Sequence, residues 1–200
     1  MAITINGTGS ITGLTAGGLP DGSITAADLA AGAITAGALP TGSILQVQST
    51  LKTDTDTTTS QESYGDVTGM SVSIEPDKAS SNILVQISLG RVGCSTANRT
   101  TMFRIMRGTT PVAIGDAFND APVGTFAASD LSTTYSPGGV GFTFLDSPTY
   151  TLGDTLTYKL QWSGQNGDTH RLNGPGDNAT TNDAPRLRTV STITVMEVAG

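Results

Sequence analysis

Leu-Thr-Tyr-Lys-Leu-Gln-Trp, residues 156–162, places a large apolar side chain at every second position. Successive side chains of a β-strand point to opposite faces of its sheet, so this pattern predicts a strand with one buried face. The same alternation occurs in residues 70–74 and 83–89. The three segments therefore predict the core strands of an all-β domain.

Further strands are predicted where β-branched and aromatic residues cluster, at 101–106, 112–114, 140–145 and 191–198. Glycine- and proline-containing turns separate the segments, at 75–77, 107–108, 136–139 and 152–154. No segment shows a sustained helical stripe. Seven to nine short strands in this arrangement predict an antiparallel β-sandwich or jelly roll.

The chain before this region has a different composition. Residues 1–50 contain no aromatic residue, no lysine and no arginine, and their only charged side chains are Asp21 and Asp28. The motif Gly-Ser-Ile-Thr at 22–25 recurs with small changes at 32–35 and 42–45. The sequence thus predicts two domains, a glycine-rich repeat stalk over residues 1–44 and an all-β head over residues 45–200.

The stalk repeat has a five-residue period. This spacing fits neither a continuous strand nor a continuous helix, so each unit must contain a bend. Large apolar residues recur at this period and are the candidate stalk-packing residues: Leu14, Leu19, Ile24, Leu29, Ile34, Leu39 and Ile44.

Two large side chains per ten residues bury too little apolar surface to offset the conformational entropy of the backbone. Identical copies winding around a common axis would complete the core, with glycine where backbones approach. The stalk is therefore expected to order only together with identical copies of the chain. A flexible or surface-lying linker and a monomeric pentapeptide-type β-helix are the alternatives.

The charge of the chain limits its partners. The formal net charge is −7, whereas nucleic-acid and anionic-membrane binding depend on lysine and arginine. The apolar runs are far shorter than the roughly 20 residues of a membrane span. No basic leader precedes an apolar stretch at the N-terminus, so synthesis in a cytoplasm is expected. Neither nucleic acid nor membrane insertion is expected.

The repeats at 19–25 and 32–35, which lead into Ser-Ile-Leu-Gln-Val-Gln at 43–48, resemble the stalk-to-head junctions of bacteriophage tail fibres and short capsid-attached fibres. The closing Ser-Thr-Ile-Thr-Val-Met-Glu-Val, 191–198, is similar to the final strand of such heads. The resemblance implies a virion protein that forms a homotrimer, attaches to capsid or tail proteins through its N-terminus and projects its head outward. It carries over no functional residue.

The titratable residues do not indicate an enzyme. Cys94 is the only cysteine and His170 the only histidine, and no nucleophile-elbow motif accompanies them. Cys94 is interpreted as a small buried or inert thiol, and His170 as a solvated loop histidine. A zinc site would need three symmetry-related copies of His170. Asp54 and Asp56 offer a carboxylate pair for a glycosidase, but a solvated edge or loop is favoured. No cofactor and no metal are expected.

The polar segment 163–185 is the candidate surface-recognition loop, because long loops in compact domains are often functional. Trp162, just before it, continues the strand alternation and is assigned to the core. The side chains of this loop suited to hydrogen-bonding sugar hydroxyls are Asn166, Asp168, His170, Arg171, Asn173, Asp177 and Asn178.

These observations predict a structural protein of a phage particle, a trimeric fibre whose head binds host surface glycan or protein. A capsid decoration or head fibre, held to the capsid by its N-terminal repeats, is the alternative. A glycan-degrading enzyme is a minor one.

Overall fold

A computed structural model describes residues 24–25, 27, 29–131, 139–177 and 186–200. The chain divides into two compact units, Met1–Leu39 and Pro40–Gly200. In the described part of the first unit, the regular structure is a short 3₁₀ helix, Ala36–Ala38. Within the described residues, no helix has the length and hydrophobicity needed to cross a lipid bilayer.

The second unit is built from β-strands, which confirms the all-β prediction. The described residues contain twelve: β1 Ile44–Lys52, β2 Asp56–Thr58, β3 Gly65–Ile74, β4 Asn82–Leu89, β5 Val92–Cys94, β6 Arg99–Arg107, β7 Thr110–Val112, β8 Phe126–Leu131, β9 Val140–Asp146, β10 Leu156–Ser163, β11 His170–Leu172 and β12 Ser191–Val198.

The strands form three antiparallel sheets. The first has the order β1-β12-β4-β9, and the second has the order β3-β10-β6-β7, with β8 also paired to β6. A small third sheet has the order β2-β11-β5. This arrangement is consistent with a β-sandwich, with the C-terminal strand β12 in the middle of the first sheet.

One continuous core lies between the two larger sheets. Its fully buried side chains include Ile87 and Ile193 from the first sheet and Phe103, Leu160 and Trp162 from the second. The burial of Trp162, which is 2% exposed, confirms its assignment to the core.

Aromatic stacking closes the core at the β9 edge. The rings of Phe103 and Phe126 stack with centroids 5.0 Å apart, and Phe126 stacks on Phe142 of the opposite sheet at 5.6 Å. Aromatic pairs at such distances stabilise a fold beyond the area they bury. They hold β8 of the second sheet against β9 of the first.

A buried carboxylate joins the sheets near the same edge. Asp146, at the end of β9, accepts hydrogen bonds from Tyr158 Oη at 2.7 Å and from Arg107 Nη1 at 2.5 Å. Burial raises the pKa of Tyr158 well above its usual value, and the Asp146 carboxylate raises it further. The phenol therefore stays protonated and acts as a hydrogen-bond donor between the sheets.

The predicted strand positions match the structure closely for the alternating segments. β12 has the predicted bounds, and β3, β4, β6, β9 and β10 contain the predicted segments. The prediction at 112–114 is wrong for residues 113 and 114, since β7 ends at Val112 and Ala113 has a φ of 51°. The prediction also omitted β1, β8 and all three strands of the third sheet.

Of the candidate stalk-packing residues, Leu14 and Leu19 lie outside the described residues. Ile24, Leu29 and Ile34 are 55%, 44% and 56% exposed in the single chain. Leu39 is partly buried, and Ile44 begins β1. The exposed side chains of Ile24, Leu29 and Ile34 are available for contact with another molecule.

Candidate functional site

A polar cleft of about 320 Å³ opens where four segments of the head meet. The walls come from the β2–β3 connection, the start of β6, the β7–β8 connection and the turn after β10. The side chains and backbone that line it belong to Gln61, Glu62, Thr100, Met102, Pro122, Gly164, Gln165 and Asn166. Amide, hydroxyl and carboxylate groups thus lie beside apolar surface in the cleft.

The turn after β10 has a geometry encoded by its sequence. Asn166 and Gly167 both have positive φ, 61° and 69°, and Asp168 N–H donates to Gln165 O at 3.3 Å. Asn-Gly is the pair that favours a tight turn with two left-handed residues. The turn places the Asn166 side chain at the cleft.

Glu62, on the opposite wall, also has a positive φ, of 57°. A residue other than glycine or asparagine rarely adopts this conformation, and strained backbone concentrates at functional sites. Hydrogen bonding around the neighbouring bridge between Gln61 and Gly164 fixes this wall, with Gly164 N–H donating to Ser60 O at 2.7 Å. The cleft is therefore held by backbone contacts from both sides.

His170 supports the cleft from inside the protein. Its Nε2 accepts the Gln165 N–H at 3.0 Å, and its Nδ1 lies 2.7 Å from Thr101 Oγ1. Cys94 Sγ lies 3.7 Å from the same Nε2. With Nε2 as an acceptor, the neutral ring carries its proton on Nδ1 and donates it to Thr101. The ring fixes the backbone of the residue that forms one wall of the cleft.

The interpretation of His170 as a solvated loop residue is therefore wrong. The residue is completely buried and begins β11, which pairs with β2 on one side and β5 on the other. This burial also prevents copies of His170 from meeting at a symmetry axis. The interpretation of Cys94 as a small buried thiol is confirmed.

Burial lowers the pKa of His170 below its usual value of 6.5, since desolvation outweighs the favourable effects of Gln165 and Asp168. The unfolded chain thus binds this proton more tightly than the folded chain does. The contribution of His170 to stability is complete above pH 6.5 and is lost as the pH falls through the lowered pKa.

We accordingly expect the free energy of unfolding to decrease between pH 7.5 and pH 5.5, and to decrease less in His170→Gln. Urea unfolding of both proteins at each pH measures the difference. An equal decrease in the two proteins would show that another group is responsible.

The other predicted recognition residues are mostly structural. Asp168 accepts from Arg99 Nε at 2.5 Å and from Thr96 Oγ1 at 2.7 Å, and these contacts lower its pKa. Arg171 lies partly buried on β11. Asp177 pairs with Arg186 at 3.0 Å. Asn178 lies outside the described residues.

Asn173 is fully buried and has a φ of 62°. Its Nδ2 donates to the carbonyl oxygens of Lys52 and Asp54, each at 3.0 Å, and its Oδ1 accepts from Ser191 Oγ at 2.6 Å. It joins the segment after β11 to β1 and β12. Of the six predicted residues that the structure describes, only Asn166 lines the cleft.

The carboxylate pair considered for catalysis has structural contacts instead. Asp54 pairs with Lys52 at 3.0 Å, and Asp56 accepts the backbone N–H of Thr68 at 2.8 Å. Among the residues that the structure describes, no three His, Cys, Asp or Glu side chains are grouped as a metal site requires.

Sequence reasoning missed most of the cleft. Half of the lining residues lie far from the polar segment along the chain, and the sheet pairing brings them beside Gln165: Gln61, Glu62, Thr100 and Met102. The Asn-Gly pair at 166–167 was the available signal for the turn.

No protein-family model matches the chain, and no curated protein matches it.

Proposed function

We propose that this chain is a structural protein of a bacteriophage particle, a homotrimeric fibre with a sandwich or jelly-roll head. The N-terminal repeats hold it to other virion proteins, and the head binds a carbohydrate of the host surface through the cleft. The resemblance of the repeats and of the closing strand to phage fibres supports the first part. The chemistry of the cleft supports the second.

The cleft walls are the observation that carries the carbohydrate assignment. Amide side chains donate and accept hydrogen bonds at once, as sugar hydroxyls require, and Glu62 adds a strong acceptor. Met102 and Pro122 supply apolar surface for the C–H faces of a sugar ring. The volume, about 320 Å³, is at the lower end of the range for small-molecule sites and favours a short glycan.

The number of carboxylates at the cleft favours binding over hydrolysis. Glycosidases place two carboxyl groups on either side of the scissile bond. Among the described residues that line the cleft, Glu62 is the only acid. Asp168 lies close by in the chain, but its carboxylate is held by Arg99 and Thr96.

A cavity of about 230 Å³ adjoins the cleft and shares Met102 and Pro122 with it. Tyr64 lines this second cavity, donates its hydroxyl to Val123 O at 3.0 Å and packs under the Arg104 guanidinium at 4.4 Å. A tyrosine fixed in this way offers a rigid aromatic ring for contact with a ligand. We assign the second cavity to the next sugar of a chain bound in the cleft.

Removing single side chains from the cleft tests this assignment. Glycine adopts positive φ readily, so Asn166→Gly and Glu62→Gly should preserve the backbone. Each variant removes one or two hydrogen bonds to the ligand, worth about 1 kcal/mol apiece. Each should weaken binding about fivefold or more, and the double variant more than either. Asn119→Gly is the matched control, because Asn119 has a φ of 50° and does not line the cleft.

An array of bacterial surface oligosaccharides identifies the ligand, and calorimetry on the strongest one measures affinity for each variant. Unchanged affinity in the double variant would place the binding surface elsewhere on the head. Failure of the wild-type protein to retain any host polysaccharide would remove the carbohydrate assignment.

A further inference from the structure

The outer face of the first sheet carries no charge and exposes several large apolar side chains. Side chains on this face alternate with the core residues along β1, β12, β4 and β9. Val47, Leu51 and Leu145 are 52%, 58% and 52% exposed. We call this surface the outer apolar face; it comprises Val47, Ser49, Leu51, Leu84, Gln86, Ser88, Gly141, Thr143, Leu145, Thr192, Thr194, Met196 and Val198.

The strand register arranges these residues in rows. One row crosses the whole sheet with apolar side chains, since Val47 is opposite Met196, Met196 is opposite Leu84, and Leu84 is opposite Leu145. The next row is neutral and polar, with Ser49 hydrogen-bonded to Thr194 at 2.8 Å. No row contains an acidic or a basic residue.

The outer face of the second sheet provides an internal comparison. There Asp66 accepts hydrogen bonds from Lys159 at 2.8 Å and Gln161 at 2.5 Å, and Arg104 Nε donates to Gln161 at 2.8 Å. This charged network is typical of a sheet face in water. The outer face of the second sheet thus resembles a solvent-exposed surface, whereas that of the first sheet resembles an interface.

The charge of the chain favours a second copy as the occupant of the outer apolar face. Each chain carries a net charge of −7, so copies repel one another over most of their surface. A face without charge lets identical chains meet without burying like charges, and it offers nothing to a basic or acidic partner. The face is also continuous in sequence with the five-residue repeat, whose last apolar member, Ile44, is the first residue of β1.

We propose that the heads of neighbouring copies pack against each other through the outer apolar face, around the axis of the trimer. The inference rests on the proposed homotrimer and adds the surface that builds it. Thr194 and Met196, on the central strand β12, face the axis. The cleft, formed on the other sheet and its connections, remains open to the outside.

Site-specific cross-linking of the full-length protein tests the surface directly. The native thiol of Cys94 is fully buried, so an introduced cysteine is the accessible one. Thr194→Cys treated with a short bismaleimide should give covalently linked chains on a denaturing gel. Ser71→Cys, at an exposed position on β3 in the second sheet, is the matched control and should stay monomeric.

Adding Leu145→Lys to Thr194→Cys should abolish the cross-link, because the lysine buries a charge at the contact. Leu145 is exposed in the single chain, so circular dichroism should show an unchanged fold. Light scattering of the wild-type protein separates the possible failures. A mass of about 61 kDa, three times 20.3 kDa, without a Thr194→Cys cross-link would disprove the face and leave the trimer. A mass of 20.3 kDa would disprove both.

Discussion

Glu197→Ala is expected to lower the free energy of unfolding by about 3–5 kcal/mol, because several buried donors lose an acceptor at about 1–3 kcal/mol each. Glu197 is fully buried on β12, and its carboxylate accepts from Ser81 Oγ at 2.6 Å and Gln46 Nε2 at 2.8 Å. The backbone N–H groups of Asp77 and Lys78 donate to it at 3.0 and 3.1 Å. Alanine leaves the Ser81 hydroxyl and both backbone N–H groups without this acceptor, whereas Gln46 Nε2 keeps a hydrogen bond to a backbone carbonyl.

Glu75→Ala is the control, since Glu75 lies exposed in the same β3–β4 connection. Its effect should be within about 0.5 kcal/mol. Urea unfolding at one fixed chain concentration measures both variants, because the stability of an oligomer depends on concentration. A loss for Glu197→Ala no larger than that for Glu75→Ala would show that the network does not stabilise the connection.

The same carboxylate makes stability depend on pH. Burial alone would raise the pKa of Glu197, but the hydrogen bonds from Asp77, Ser81, Gln46 and Lys78 outweigh it and lower the pKa below 4.5. The folded chain therefore holds the ionised form more strongly than the unfolded chain does. This contribution is complete above pH 4.5 and is lost as the pH falls through the lowered value.

Gly176→Ala is expected to cost about 3 kcal/mol or more, the upper range for overpacking a core. A Cβ at this position would lie 2.0 Å from the carbonyl oxygen of Cys94 and 2.8 Å from its nitrogen. Both are backbone atoms of β5, so no side chain can rotate away. Gly93, on the same strand, also approaches Gly176 closely, since a Cβ at Gly93 would lie 2.6 Å from the Gly176 nitrogen.

Gly65→Ala provides the comparison, because a Cβ there meets no atom within 4 Å. Its effect on thermal unfolding should be small and of either sign. Equal melting temperatures for Gly176→Ala and Gly65→Ala would mean that the segment after β11 moves away from β5 without cost.

The sequence predicted best the strands with one face in the core. Buried and more exposed side chains alternate in residues 70–74, 83–89 and 156–162, because one face of each strand packs against the opposite sheet and the other faces outward. β1 was missed because it lies at a sheet edge, where Val47 and Leu51 face outward and the buried positions include Lys52. In this edge strand apolar side chains face outward and a polar one is buried, which is the reverse of the usual alternation.

The third sheet was missed for a different reason. β2, β5 and β11 are three residues long each, too short for a period to be visible. β11 also begins with His170, in a segment whose polar composition indicates a loop. Its burial depends on hydrogen bonds with Thr101 and Gln165 that only the folded chain assembles. Polar residues paired in this way look like loop residues in the sequence.

The recognition residues were predicted as one continuous loop, but the cleft is discontinuous. Asn166 of the predicted loop lines the cleft, whereas Gln61, Glu62 and Thr100 come from other parts of the chain. A composition argument finds a polar stretch. It does not distinguish side chains that face a cleft from those, such as Asn173, that satisfy buried backbone groups.

Immunogold electron microscopy of purified phage particles tests the proposed assignment to a virion most directly. The account predicts label on projections of the particle, at the tail for a host-attachment fibre and over the capsid for a head fibre. Particles that carry no label, although infected cells produce the protein, would contradict the assignment to the virion.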